Sequence, residues 1–197
     1  LEDINLDIYQ GDFLLITGPN GGGKTSLLRT ILRLQSPTKG RISFFRQGEP
    51  VSSLDMGYLP QKNSIDSRFP ITVEEVVASG LMGNTQKGNT KFDSKKEIDE
   101  MLDLMGITAL RNKPIGVLSG GQLQRSLFGR ALISKPEMLI LDEPASYIDR
   151  QFGNRMFEIL RDLSSNGTTI MMVSHEIEPF ITLSNRNLYI NHILGDR

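Results

Sequence analysis

Cysteine is absent from the 197 residues, and with it go disulfides, thiolate metal sites and cysteine nucleophiles, while a reducing cytosol remains compatible. Only two histidines are present, His175 and His192, too few for a His-based zinc site. Long apolar runs are missing too. Stretches such as Phe13-Leu-Leu-Ile16 and Met138-Leu-Ile-Leu141 stop after four residues, well short of the roughly 18 to 20 needed to span a bilayer, so the chain is expected to be soluble by itself. Leu1-Glu-Asp-Ile-Asn has neither the basic start nor the apolar core of a signal peptide, and the opening on Leu1, directly on a strand-like pattern, reads as a trimmed segment. Charge of one sign is lacking as well. Lys and Arg total 22 against 23 Asp and Glu, leaving a net charge of −1 and no global basic field to hold nucleic acid or an anionic membrane. No internal repeat or low-complexity tract is found, which excludes repeat architectures.

What is present, 38% hydrophobic and 23% charged residues in 22.0 kDa, fits one compact unit or one domain with a subdomain. Short, continuously apolar or β-branched runs predict strands at Phe13–Ile16, Arg41–Phe45, Met56–Leu59, Met138–Leu141, Thr169–Val173 and Asn187–Ile190. Spacings of three and four predict helices through Ile98, Met101, Leu102 and Met105, and through Phe152, Met156, Ile159, Leu160 and Leu163. Alternating strands and helices imply an α/β fold with a mostly parallel sheet flanked by helices. From about Ile71 to Pro114 nothing reads as a buried strand, whereas Thr72–Leu81 and Ser94–Met105 read as helices, so an inserted helical subdomain is expected. Between those two helices, Gly83 to Thr90 is rich in Gly, Asn and Thr and predicts a mobile surface loop.

Three motifs carry chemistry. Gly18-Pro19-Asn20-Gly21-Gly22-Gly23-Lys24-Thr25 fits G-x-x-x-x-G-K-[ST], follows a strand, and opens a helix with Ser26, Leu27, Leu28, Ile31 and Leu32. Glycines let the backbone curl so that N–H groups converge on phosphate oxygens at a helix N-terminus, with Lys24 reaching the β and γ phosphates and the Thr25 hydroxyl ligating Mg²⁺. The competing reading is an ordinary Gly-rich turn. Met138 to Glu143 is a buried strand ending in two carboxylates at a sheet edge, where Asp142 would hold Mg²⁺ and Glu143 would orient and deprotonate an attacking water. A solvated strand end is the alternative. Leu118-Ser119-Gly120-Gly121-Gln122 places an N-cap serine and paired glycines at the start of a helix, which suits a second anion site or a plain capped helix.

In this order, these elements resemble the nucleotide-binding subunit of an ATP-binding cassette (ABC) transporter, over nearly the whole chain. Gly18 to Thr25 matches that family's Walker A loop, Met138 to Asp142 its Walker B strand, and Leu118 to Gln122 its signature motif. Gln61, in Tyr58-Leu-Pro-Gln61, matches the glutamine that contacts Mg²⁺ and couples to the membrane partner. Ser146-Tyr147-Ile148-Asp149 occupies the place of the D-loop, and His175 that of the switch histidine. The resemblance implies a P-loop NTPase (RecA-like) core at 1–65 and 131–197, a helical subdomain at 66–130 carrying the signature, and ATP with Mg²⁺ as ligands. Glu143, His175 and Gln61 would then serve catalysis, Thr25, Gln61 and Asp142 the metal, and Gly18 to Ser26 with Ser119, Gly120, Gly121, Gln122 and Asp149 the nucleotide.

It also implies a head-to-tail homodimer with two ATP molecules at its interface, because the family's signature helix lies far from its own Walker A loop. Ser119 and Gly121 of one copy would face the γ-phosphate held by Lys24 of the other. The implied partners are integral membrane permease subunits and an extracytoplasmic substrate-binding protein, at the cytoplasmic face of the membrane, with no nucleic acid. Pro60-Gln61, Asp66, Phe69-Pro-Ile-Thr-Val73, Val76-Val77 and Gly80 resemble the subgroup serving bacterial zinc and manganese importers. A metal-unrelated transporter, a non-transport ABC ATPase acting on nucleic acid or ribosomes, and a module that binds ATP without hydrolysing it are the alternatives. The sequence departs from the family at three places. The adenine-stacking aromatic would lie upstream of Leu1, with Tyr9 out of position to replace it; the D-loop has Tyr-Ile for Ala-Leu; and Phe128-Gly129 stands for Leu-Ala. His192 matches no motif, and Arg125, Arg130, Lys95 and Lys96 read as helix-surface charges.

Overall fold

A computed structural model describes residues 1–61, 69–82, 91–175, 178 and 180–196 of the chain, with the side chains of 91–93 and 194–196 left aside. Asp66 and the expected loop at 83–90 lie outside the described residues. The strands are β1 (Phe13–Thr17), β2 (Phe44–Arg46), β3 (Glu49–Val51), β4 (Met56–Leu59), β5 (Met138–Asp142), β6 (Thr169–Val173), β7 (Arg186–Asn191) and β8 (Ile193–Asp196). The helices are α1 (Lys24–Ile31), α2 (Val73–Ala78), α3 (Lys91–Leu104), α4 (Gly120–Leu132) and α5 (Arg150–Ser165).

Apolar residues on both faces of a strand demand cover on both sides, and β1, β5 and β6 are buried along their whole lengths. They occupy the middle of a six-stranded sheet of order β4-β5-β6-β1-β7-β8, parallel except for the antiparallel β7–β8 edge pair. Alternation along each strand splits the core in two. Phe13, Leu15, Leu139, Leu141, Ile170 and Met172 face a cluster completed by helices α2 to α5. Leu14, Ile16, Ile140, Met171 and Val173 face the opposite cluster, completed by Leu27, Leu28 and Ile31 of α1 and by Phe44. The expected strand at Arg41–Phe45 falls instead at Phe44–Arg46, where it pairs with β3 in a separate two-stranded ribbon whose residues are mostly exposed. Exposure removes the hydrophobic pattern that would have marked its ends.

Helix α4 is the inner member of the helical layer and rests on β4, α2 and α3. Gly129 sits where α4 meets α3: a Cβ there would lie 3.0 Å from Met105 Cγ and 3.3 Å from Met101 Cγ, so the missing methyl lets the helices approach. That closeness offsets the roughly 1 kcal/mol a helical glycine costs relative to alanine. Its neighbour Phe128 is fully buried and meets Phe152 of α5 edge to face, the ring centroids 6.5 Å apart. Arg125 and Arg130, expected at the helix surface, are both partly buried. Arg125 lies over the Phe152 ring and pairs with Asp149, while Arg130 turns inward to donate to the Tyr58 carbonyl at 3.4 Å. Lys95 and Lys96 are exposed, as expected.

A contrast between two glycines tests this packing. At Gly57 a Cβ would stand 2.1 Å from the Ala131 carbonyl oxygen, whereas at Gly153 of α5 nothing lies within 4 Å. Gly57→Ala should destabilise the chain by about 1–3 kcal/mol in urea unfolding, through overpacking of β4 on α4. Gly153→Ala should stabilise it by about 0.5–1 kcal/mol by reducing the freedom of the unfolded helix. A neutral Gly57→Ala would contradict the close β4–α4 approach.

Candidate functional site

The carboxyl ends of parallel strands converge where backbone turns into helix, and a pocket opens there, lined by Asn20 to Ser26, Gln61, Asp142, Glu143, Val173 and His175. The loop leaving β1 is shaped by glycine. Gly18 has φ +144, and a Cβ on it would lie 1.9 Å from the Ile190 carbonyl oxygen of β7; Gly23 precedes α1 with φ +99. Across the loop, the His192 N–H donates to the Gly22 carbonyl at 2.9 Å, so the β7–β8 turn braces it. This is the part His192 plays, through its backbone, which no side-chain motif could have signalled. Lys24 is buried and its Nζ donates to the Gly18 and Pro19 carbonyls at 2.8 and 2.9 Å, holding a cation at the mouth of the loop.

Thr25 Oγ1 donates to Asp142 Oδ2 at 2.9 Å, joining the start of α1 to the end of β5. Asp142 is 1% exposed, and neither its Oδ1 nor Glu143 Oε1 has a hydrogen-bond partner among the described residues. Buried acceptors left open in this way suit a cation or a water. Glu143 adopts φ +54, uncommon for a residue with a side chain, and this turns its carboxylate back into the pocket. His175 follows β6, and its backbone N–H donates to Glu143 Oε2 at 3.4 Å. Its ring Nε2 stands 3.3 Å from Glu143 Oε1 while hydrogen-bonding Asn20 Oδ1 at 3.0 Å, so it lies between the glycine loop and the acid. Val173, which lines the pocket, is indistinguishable in sequence from any other strand residue.

The second anion-site motif lies elsewhere. Ser119 caps α4 by accepting from the Gln122 N–H at 3.3 Å, and Gln122 Oε1 accepts from the Ser119 N–H at 3.0 Å, a reciprocal capping box. Ser119 and Gly120 are exposed, and none of Ser119, Gly120, Gly121, Gln122 or Asp149 lines the pocket around Lys24. Asp149 caps α5 by accepting from the Phe152 N–H at 3.0 Å. Among the described residues no group of three or more His, Asp or Glu side chains is placed to hold a metal by itself.

An ABC transporter family profile matches residues 1–146. The chain is 39% identical over 198 residues to a "Probable metal transport system ATP-binding protein" of Chlamydia pneumoniae, covering 98% of this chain and 80% of that protein. It is 37% identical over 202 residues to the zinc uptake system ATP-binding protein ZurA of Listeria monocytogenes, covering 99% and 76% respectively. Among solved structures it matches a dimeric ATP-binding cassette in a post-hydrolysis state with ADP and Pi, at 25% identity and a TM-score of 0.85, over all of this chain and 90% of that one. The chain spans 66% to 82% of the length of such curated relatives.

Burial dominates the electrostatics of the acidic pair. It pushes the Asp142 carboxyl above the ordinary aspartate range, against the Thr25 hydrogen bond and the Lys24 charge. It pushes Glu143 upward too, opposed by His175 and aided by the Asp142 charge. A carboxyl whose folded pKa is raised contributes stability below its unfolded value, and loses it as pH rises through the folded value. The charged form of Asp142 therefore weakens the nucleotide-free fold at neutral pH. Asp142→Asn should gain stability relative to the wild type as pH is raised from below the ordinary 3.8 to neutrality. Urea unfolding at a series of pH values, without nucleotide or Mg²⁺, reads this difference; a pH-independent offset would contradict it.

Proposed function

The chain belongs to the ABC transporter family, and from that premise we propose that it is the ATP-binding and hydrolysing subunit of a bacterial metal-ion importer, of the kind that takes up zinc or manganese. The observation that carries the ATPase reading is one pocket uniting a glycine-curled loop, a buried lysine, a Thr–Asp hydrogen bond and a buried glutamate beside a histidine. The names of the relatives support metal import as the cargo class. No helix among the described residues is long and apolar enough to cross a membrane, which accords with a peripheral subunit on the cytoplasmic face, docked on permease subunits and served by an extracytoplasmic binding protein.

In this reading Gly18 to Ser26 wrap the polyphosphate of ATP and Lys24 neutralises its β and γ phosphates. Thr25, Asp142 and Gln61 hold Mg²⁺, for which the open Asp142 Oδ1 is a fitting acceptor. Bound there, the ion would supply positive charge that stabilises the phosphates as negative charge develops. Glu143 orients water in line with the γ-phosphate and takes its proton, a task suited to a carboxyl whose proton affinity burial has raised. His175 Nε2 turns from Asn20 to the γ-phosphate. Ser119 and Gly120, exposed on the same chain, and Gly121 and Gln122, partly buried behind them, close the site of a second copy, with Asp149 beside them. The cassette thus works as a head-to-tail dimer whose ATP is shared across the interface, and loss of the γ-phosphate releases it. Residues 66–130 form its helical subdomain and 1–65 with 131–197 its RecA-like core.

Steady-state ATP hydrolysis tests the reading directly. Glu143→Gln should keep ATP binding while lowering turnover on the order of 10²- to 10⁴-fold, and should accumulate an ATP-bound dimer in gel filtration. Persistent turnover, or monomer alone in ATP, would remove Glu143 from its role. Lys24→Ala should lose nucleotide affinity, and an unchanged titration would contradict the phosphate loop. Metal analysis of the complex co-purified with its membrane partner tests the cargo class.

A further inference from the structure

Two long polar side chains in succession on a helix ordinarily reach into water, yet Gln124 of α4 is buried and Arg125 is only partly exposed. Gln124 is 1% exposed, and its Nε2 donates to the Pro144 carbonyl at 3.3 Å. The Arg125 guanidinium lies 4.5 Å from the Phe152 ring centroid and pairs with Asp149. One turn earlier, a Cβ on Gly121 would stand 2.7 Å from the Tyr147 carbonyl oxygen, so the helix backbone rests on the same loop. Positions 121, 124 and 125 share one helix face. That face therefore holds the segment from Pro144 to Asp149 at three successive points. The segment departs from Glu143, whose positive φ makes the aim of its carboxylate sensitive to where Pro144 is held, and ends at Asp149, the cap of α5.

We infer that Gln124 and Arg125 are positioning residues that fix the loop from Glu143 to Asp149 to the signature helix, so that occupation of the anion site at the Ser119 end sets the placement of Glu143 in the same chain. This rests on the proposed dimer. There, Ser119 serves the nucleotide on a second copy's Lys24, whereas Glu143 serves the nucleotide on its own chain's Lys24. Helix α4 then belongs to both sites at once, and ATP bound at one arms the base of the other. Neither side chain touches the reacting atoms; both act through the loop.

ATP hydrolysis by the whole chain, measured against ATP concentration, tests the coupling through a double-mutant cycle of Arg125→Met and Asp149→Asn. Asparagine can still accept from the Phe152 N–H and so preserves the α5 cap. The wild type should show positive cooperativity in ATP. Each single variant should lower kcat on the order of tenfold and bring the Hill coefficient to about one, and Arg125→Met, which removes no group assigned to the nucleotide, should leave ATP affinity in direct titration little changed. The double variant should be no worse than either single one, because both remove the same strut. Arg125→Lys should recover part of the kcat and of the cooperativity. Should Arg125→Met fail to fold, Arg125→Gln carries the test by the same split between kcat and cooperativity. Wild-type hydrolysis without cooperativity, additive losses in the cycle, or losses that merely track a lowered melting temperature would overturn the inference. A wild type that hydrolyses no ATP would instead overturn the proposed function itself.

Discussion

The hydrogen bond from Thr25 to Asp142 spans 117 positions of sequence and ties the first turn after β1 to the end of β5. Everything at the pocket depends on those two strand ends being held at a common level. Parallel pairing supplies the level: β6 lies between them, in register with Leu14 through Met171 and with Ile140 through the same residue. A slip of one residue in the β5–β6 ladder would bring Leu141 to the level of Thr25 in place of Asp142. Burial of the central strands on both faces makes such a slip prohibitive, so the sheet's apolar packing is what gives the polar site its geometry.

The arrangement carries a cost that the fold absorbs locally. Two adjacent carboxylates are buried with open oxygens, Glu143 takes a backbone conformation that side chains disfavour, and a lysine is buried among carbonyls. The proposed function gives each of these a ligand with the opposite requirement: a polyphosphate for the lysine, a divalent cation for the aspartate, a water for the glutamate. The nucleotide-free chain is thus poised at some expense in stability, as functional sites commonly are.

Much of this was legible in the sequence wherever burial left a pattern. The central strands β1, β5 and β6 were placed within a residue because continuous apolarity survives on both faces. Glycine spacing located the phosphate loop because only glycine tolerates the approach of the Ile190 carbonyl at Gly18. Gln61 and His175, weak signals singly, reach the same pocket because each follows a strand of the parallel sheet. The ribbon of β2 and β3, and the edge strand β8, left little trace, since exposed short strands need no apolar alternation. Arg125 and Arg130 were misplaced for a different reason. A charge on a helix is assigned to water by default, and only the tertiary structure reveals Phe152 beneath one guanidinium and the Tyr58 carbonyl beside the other. The service proposed for Ser119 and Asp149 at a neighbouring copy is a matter between chains, and a single chain displays only their exposed positions.

The meeting of α3 and α4 at Gly129 has a mechanical side. With no methyl group at the crossing, and with two unbranched thioethers from Met101 and Met105 filling the space, the contact has no knob to lock it in one register. Flexible sulfur-containing chains at such a crossing can adjust to small changes in helix spacing at lower cost than branched ones, which makes this the compliant point of the helical layer.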